Sequence, residues 1–154
     1  MKQILKKNNS KASKAKLRSW LKILKTSNFI EKKIRENLRN QHNTTLPRFD
    51  VMSALYRAEK ALKMNEISGV LKVSNGNITG IIDRLVKDGH VLRVSEKGDR
   101  RSNLVSLTKK GRVQFKSYAA DHELWTNMIL GRLSEKEAET LSGLLDKISK
   151  KENN

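Results

Sequence analysis

The chain has 154 residues, no cysteine and a formal charge of +17, which allows one domain with a real core and excludes disulfide, thiolate-metal and thiol-redox chemistry. No apolar run approaches the ~18–20 residues of a membrane span, and the basic N-terminus lacks the apolar stretch of a secretory signal, so a cytoplasmic location is expected. Three widely separated histidines (His42, His90, His122) show no metal-ligand spacing, and no Ser/His/Asp grouping, paired carboxylates or phosphate loop is recognisable, so neither an enzyme nor a metal or cofactor site is expected.

The elements follow from periodicity. Residues 1–13 are polar and basic and read as a tail. Leu17, Trp20, Leu24, Ile30, Ile34 and Leu38 recur at helical steps without a breaker, predicting a helix from about Lys14 to Arg39 that "QHNTT" ends. Pro47, the only proline, suits the first turn of a second helix, "PRFDVMSALYRAEKAL", with Phe49, Met52, Leu55 and Tyr56 on one side. A short helix over about Asn65–Leu71 would turn Ile67, Val70 and Leu71 inward. In "KVSNGNITGIIDRLVKDGH", Ser74 is a good N-cap, Ile78, Ile81, Ile82 and Leu85 form an apolar stripe, and Gly89 suits a left-handed C-cap.

The period then changes to alternation. "VLRVSE" and "NLVSLT" read as two strands joined at Gly98, where a tight turn needs positive φ. Thr108 can cap a helix over about Lys109–Leu130, with Val113, Tyr118, Trp125, Met128 and Ile129 as apolar positions. "SEKE" at Ser134–Glu137 matches a capping box ahead of a last helix bearing Leu141, Leu144, Leu145 and Ile148.

Two short helices joined by a tight turn and followed by a hairpin make a winged helix-turn-helix. The second helix, about Asn75–Lys87, carries Asn75, Asn77, Thr79, Asp83 and Arg84 opposite its apolar stripe. Such a slim polar face can enter a major groove, where an Asn amide pairs with adenine N6 and N7 together. The free amides near Ser74–Asn77 can hold a backbone phosphate. Gly76 and Gly80 would allow close approach; they cost helix stability, about 1 kcal/mol each relative to Ala. Each residue has a plainer reading beside this one: the asparagines as caps or surface residues, Asp83 as a partner in an ion pair, and Arg84 as either phosphate contact or intramolecular bridge.

Charge agrees with a phosphate-rich partner. Residues 1–25 hold nine Lys/Arg and no acid, whereas residues 46–108 carry only a mild excess of eleven basic over seven acidic side chains. The basic N-terminal segment reads either as an arm touching flanking phosphates or as a solubilising tail.

Together "LPRFDVMSALYRA", "MNEISGVLKVSNGNITGIIDRLVKDGHVLR" and "DRRSNLVSLTKKGR" resemble the MarR family of bacterial transcriptional regulators, closely from about Leu46 to Arg112. The most specific motif is the wing signature D-x-R-S, an apolar strand, then L-T-x-x-G, present as Asp99, Arg101, Ser102, Leu107, Thr108 and Gly111. The resemblance implies a mainly α fold with a small β-hairpin, in which a winged helix-turn-helix over 46–108 is flanked by dimerisation helices at 14–45 and 109–154. It further implies a two-fold symmetric homodimer on double-stranded DNA. One recognition helix would enter each major groove, and Asn75, Asn77 and Thr79 would fall where base and phosphate contacts cluster; the residue reading above adds Ser74, Gly76 and Arg84 to the candidate DNA contacts.

On the same grounds Arg101 is expected in the minor groove, with Asp99 orienting it and Arg100 meeting a phosphate. The implied function is sequence-specific regulation, as a repressor on a palindromic operator that a small aromatic or anionic effector releases; the alternative is an architectural protein with little sequence preference. Aromatic content is only 5%, so the candidates for an effector pocket are Trp20, Phe49, Tyr56 and Trp125, each of which also reads as core or dimer packing. Without cysteine the peroxide-sensing branch of the family is excluded, and without clustered His and acids the metal-sensing branch is not expected.

Overall fold

The architecture comes from a computed structural model that describes residues 11–71, 75–96 and 99–149, and their side chains except at 75, 76, 96 and 99–103. Helix α1 (Lys11–His42) is longer than its predicted span at both ends. It stops where Asn43 takes a left-handed φ of 50°, and the Asn43 and Thr44 amides donate back to the Arg39 and Leu38 carbonyls at 3.1 and 3.2 Å, closing the last turn. Only Ile34 and Leu38 of α1 are buried.

Helix α2 (Leu46–Ala58) starts with Pro47 in its first turn and buries Phe49, Val51, Met52, Ala54 and Leu55. It is shorter than "PRFDVMSALYRAEKAL" suggests. Glu59 takes a left-handed φ of 54°, and the chain leaves the helix to place Leu62–Lys63 as a strand, β1. No local signal marks this strand; Leu62 is extended because burial beside Val105 rewards it. Helix α3 (Met64–Leu71) buries Ile67 and half-buries Leu71. Val70, expected inward, is exposed, because the eight-residue helix meets the core along the line of Met64, Ile67 and Leu71.

Helix α4 (Asn75–Lys87) buries Ile78, Ile82 and Leu85 and half-buries Ile81. Gly89 ends it at φ 75° as expected. Strands β2 (Val91–Glu96) and β3 (Asp99–Leu107) form the hairpin, with Val91 opposite Leu107 and Arg93 opposite Val105. The sheet is three-stranded and antiparallel in the order β1-β3-β2. The predicted cap at Ser74 and turn at Gly98 lie outside the described residues.

Helices α5 (Lys109–Ile129) and α6 (Glu135–Ser149) complete the chain. Phe115, Tyr118 and Trp125 turn α5 into the core, while Val113 and Met128 face solvent. The capping box forms: the Ser134 amide donates to Glu137 Oε2 at 2.9 Å, and the Glu137 amide returns to Ser134 Oγ at 3.4 Å. One continuous core joins α1 to α2 and on to α3, α4, the sheet and α5. Helix α6 buries none of its residues in the single chain.

Candidate nucleic-acid interface

Helix α4 is held from beneath by an apolar face that is completely removed from solvent, Ile78 and Ile82 being 0% exposed. Burying side chains of that size contributes roughly 1.5–3 kcal/mol each, so the helix's rotation about its axis is fixed. That rotation presents Asn77, Thr79, Gly80, Asp83 and Arg84 to solvent on the far side. Asn75 and Gly76 fall on the first turn of α4, with side-chain positions outside the described set, as is Ser74 altogether.

The C-terminal end of α4 is clamped by the start of α5. The Thr108 hydroxyl donates to the Gly89 carbonyl at 2.7 Å and accepts from the Gly111 amide at 2.9 Å, so it caps α5 while tying it to the turn after α4. Lys110 Nζ donates to the Asp88 carbonyl at 2.9 Å, and the Thr108 amide donates to the His90 carbonyl at 3.0 Å. Gly111 packs so closely there that a Cβ would stand 1.9 Å from the His90 carbonyl oxygen. Half of the motif that first marked the wing, L-T-x-x-G, is therefore the joint between α4 and α5.

The hairpin is tied to α4 by a contact that periodicity did not reveal. Arg93 of β2 donates to Asp83 Oδ1 at 2.5 Å. Both side chains are about half exposed, so the pair adds little to stability; its effect is to orient the acid on the exposed face of α4. Arg84 Nε lies 3.4 Å from Asp88 Oδ1, the intramolecular bridge of its two readings, in an exposed geometry that a phosphate can displace. Asp99, Arg100 and Arg101 lie on β3 at the start of the returning strand; their side chains lie outside the described set.

The four aromatic candidates stand on three elements, Trp20 on α1, Phe49 and Tyr56 on α2 and Trp125 on α5. Trp20 is exposed on α1. Phe49 stacks on His122 at 4.9 Å, Tyr56 lies against Phe115 at 4.9 Å with the Arg112 guanidinium 6.0 Å from its ring centroid, and Trp125 is buried 5.8 Å from His42. A groove of about 710 Å³ lies elsewhere, between α1, the start of α2, the end of α5 and α6, lined by Ile23, Ile30, Ile34, His122, Leu133 and Leu141 among others. Two histidines have structural partners: His42 of α1 is hydrogen-bonded to Asp121 of α5 at 2.7 Å, and His122 stacks on Phe49. Among the described residues no group of three or more His, Asp or Glu is placed to hold a metal ion, and no helix is long and apolar enough to cross a membrane.

A helix-turn-helix with an antiparallel wing, its second helix fixed from below and polar above, defines the winged-helix class. A sequence model of the MarR family matches residues 44–103. The uncharacterized HTH-type transcriptional regulator YkoM of Bacillus subtilis is 31% identical over 117 residues, 76% of this chain and 74% of YkoM. The transcriptional activatory protein BadR of Rhodopseudomonas palustris is 41% identical over 70 residues, 44% of this chain and 40% of BadR. Among solved structures, a mutant MarR from E. coli complexed with operator DNA superposes with a TM-score of 0.68 at 27% identity, covering 83% of this chain and 91% of that one. The chain belongs to the MarR family. It spans 40% to 63% of the length of the first curated relatives it matches.

Proposed function

We infer that the protein is a sequence-specific DNA-binding transcriptional regulator acting as a homodimer in the cytoplasm. The observation that carries this is the fixed rotation of α4, which turns Asn77, Thr79, Asp83 and Arg84 outward beside a wing, in a chain similar to one solved with operator DNA. In this reading residues 46–108 are the reading part, and residues 14–45 and 109–154 dimerise. Helix α4 lies in the major groove, with the Ser74–Asn77 amides at a phosphate. Arg101 enters the flanking minor groove, with Asp99 orienting it and Arg100 on the backbone. Two such heads about one helical turn apart require a near-palindromic operator with half-sites about 10 bp centre to centre.

Regulation is by occupancy, as a repressor, and a small aromatic or anionic effector releases the DNA by changing the spacing of the heads. The groove between α1, α5 and α6 supports this part of the reading, being mostly apolar with His122 on its wall. BadR is described as activatory, so the sign of regulation is read from a reporter behind the operator, where repression predicts a rise in transcription when the gene is deleted.

The deciding experiment is selection of genomic fragments by the purified protein, followed by sequencing. A shared near-palindrome is expected, and a bound set with no two-fold element rejects the reading. The charge of +17 favours a second possibility, an architectural protein that coats DNA. Competition against random duplex separates them: a regulator prefers its operator by at least about 10³-fold.

A further inference from the structure

The reading head does not account for the charge. Nine of the seventeen net positive charges belong to residues 1–25, and the first acid of the chain is Glu31. Within α1, Lys11, Lys14, Arg18, Lys22 and Lys25 follow at steps of three, four, four and three. Those steps put all five on one face of the helix, in a line about 21 Å long. All five are exposed, and none has an ion-pair partner among the described residues. Lys16 alone of the cations in this stretch stands off the line.

A solubilising role asks for charge but not for alignment. Aligned like charges three and four residues apart repel and weaken the helix that carries them, so the arrangement is unfavourable until an anionic partner of matching shape lies along it. The apolar residues of the same stretch (Leu17, Trp20, Leu21 and Leu24) are also exposed, on the neighbouring face. The centres of the two faces lie about 110° apart around the helix, so protein contacts centred on the apolar face leave most of the cationic line open. Helix α1 packs chiefly on α5 and α2, which makes this line a surface distinct from α4.

We propose that the cationic line of α1 is a second, sequence-independent binding surface for the phosphate backbone of duplex DNA, outside the base pairs that α4 reads. A repeating row of cations spaced about 4.5–6 Å apart along a rod matches a linear polyanion better than a compact anion, which would meet two or three of the five. Binding there releases counterions and adds affinity on any sequence. The choice of duplex DNA as occupant rests on the DNA-binding reading; the line itself does not.

The test uses the full chain with Lys14→Gln, Arg18→Gln and Lys25→Gln combined, leaving Lys22, which also edges the groove. Affinity for a long random duplex is measured across a salt series, beside a charge-preserving control (Lys14→Arg, Arg18→Lys, Lys25→Arg). The proposal expects the slope of log K against log salt to shrink by about 0.9 for every phosphate that the variant no longer neutralises. It also expects at least a tenfold loss of affinity at low salt, with the control like wild type. An unchanged slope in a triple variant of unchanged helix content overturns it. So does loss of binding to anionic phospholipid vesicles with the DNA slope intact, which gives the face to a membrane surface. Asn77→Ala separates the two readings: it should abolish operator preference and leave the random-duplex slope alone. If wild type shows no operator preference at all, the regulator reading fails while the slope test of the line stands.

Discussion

Two glycines that look alike in the sequence have opposite roles. A Cβ on Gly111 meets the His90 carbonyl oxygen at 1.9 Å, whereas one on Gly80 meets nothing within 4 Å. Gly111→Ala should destabilise the fold by about 1–3 kcal/mol, the scale of overpacking. Gly80→Ala should stabilise it by up to about 1 kcal/mol, since Ala is the better helix former, and should weaken operator binding, since among the described residues nothing stands close enough to require a glycine there. Urea unfolding and an operator titration measure both, and a Gly80→Ala protein that binds DNA as tightly as wild type removes close approach at that position. In the wing, Arg101→Ala should cost about 1–3 kcal/mol of operator affinity at fixed salt; an unchanged Kd would take Arg101 out of the minor groove. The sequence distinguishes Arg101 from Arg100 only through the D-x-R-S pattern.

At the scale of elements, the joint between α4 and α5 should respond to acid. Burial, and secondarily the Lys110 charge, lowers the His90 pKa from its ordinary value near 6.5. The unfolded chain therefore takes up the proton first, and stability is full above about pH 6.5 and declines below it. Glu137, whose pKa is lowered by its hydrogen bonds to Ser134, acts in the same direction only below the ordinary carboxylate range. Burial raises the Asp50 pKa, so its contribution runs the other way, declining as pH rises. Comparing melting temperatures of wild type and His90→Gln at pH 7.5 and 5.5 isolates the histidine. The variant should lose less on acidification, and equal losses in the two proteins would remove His90 from the response. Most element boundaries were legible because caps are local: Pro47, Thr108, Gly89 and Ser134 all act where the chain pattern puts them. Strand β1 and the outward turn of Val70 were not, because both depend on what lies across the sheet or beneath the helix.

The single chain leaves two large apolar surfaces uncovered. Leu17, Trp20, Leu21 and Leu24 of α1 and Leu141, Leu144, Leu145 and Ile148 of α6 are all exposed, Ile148 at 71%. Soluble monomers rarely expose contiguous apolar faces of this kind, and the dimer proposed above would cover them. Leu24→Glu with Leu144→Glu should convert the dimer to monomer in sedimentation and, by removing the second head, lower operator affinity by at least about 10²-fold. A wild-type monomer at micromolar concentration would reject this assignment. The His42–Asp121 hydrogen bond between α1 and α5, with the Thr108–Gly111 joint at the N-terminal end of α5, physically connects the helices proposed to dimerise to α4.

Sequence by itself determined most of the helical segments, where α4 and the wing fall, and which residue types could meet DNA. Periodicity, caps and the wing motif are short-range properties, each carried by one element or by two neighbours in the chain. Tertiary structure alone decided that Gly111 belongs to a joint, that Asp83 pairs with Arg93, that Tyr56 and Phe49 pack on Phe115 of α5, and that α6 buries nothing in its own chain. Those facts depend on partners far along the chain, brought near only when the apolar faces close on one another.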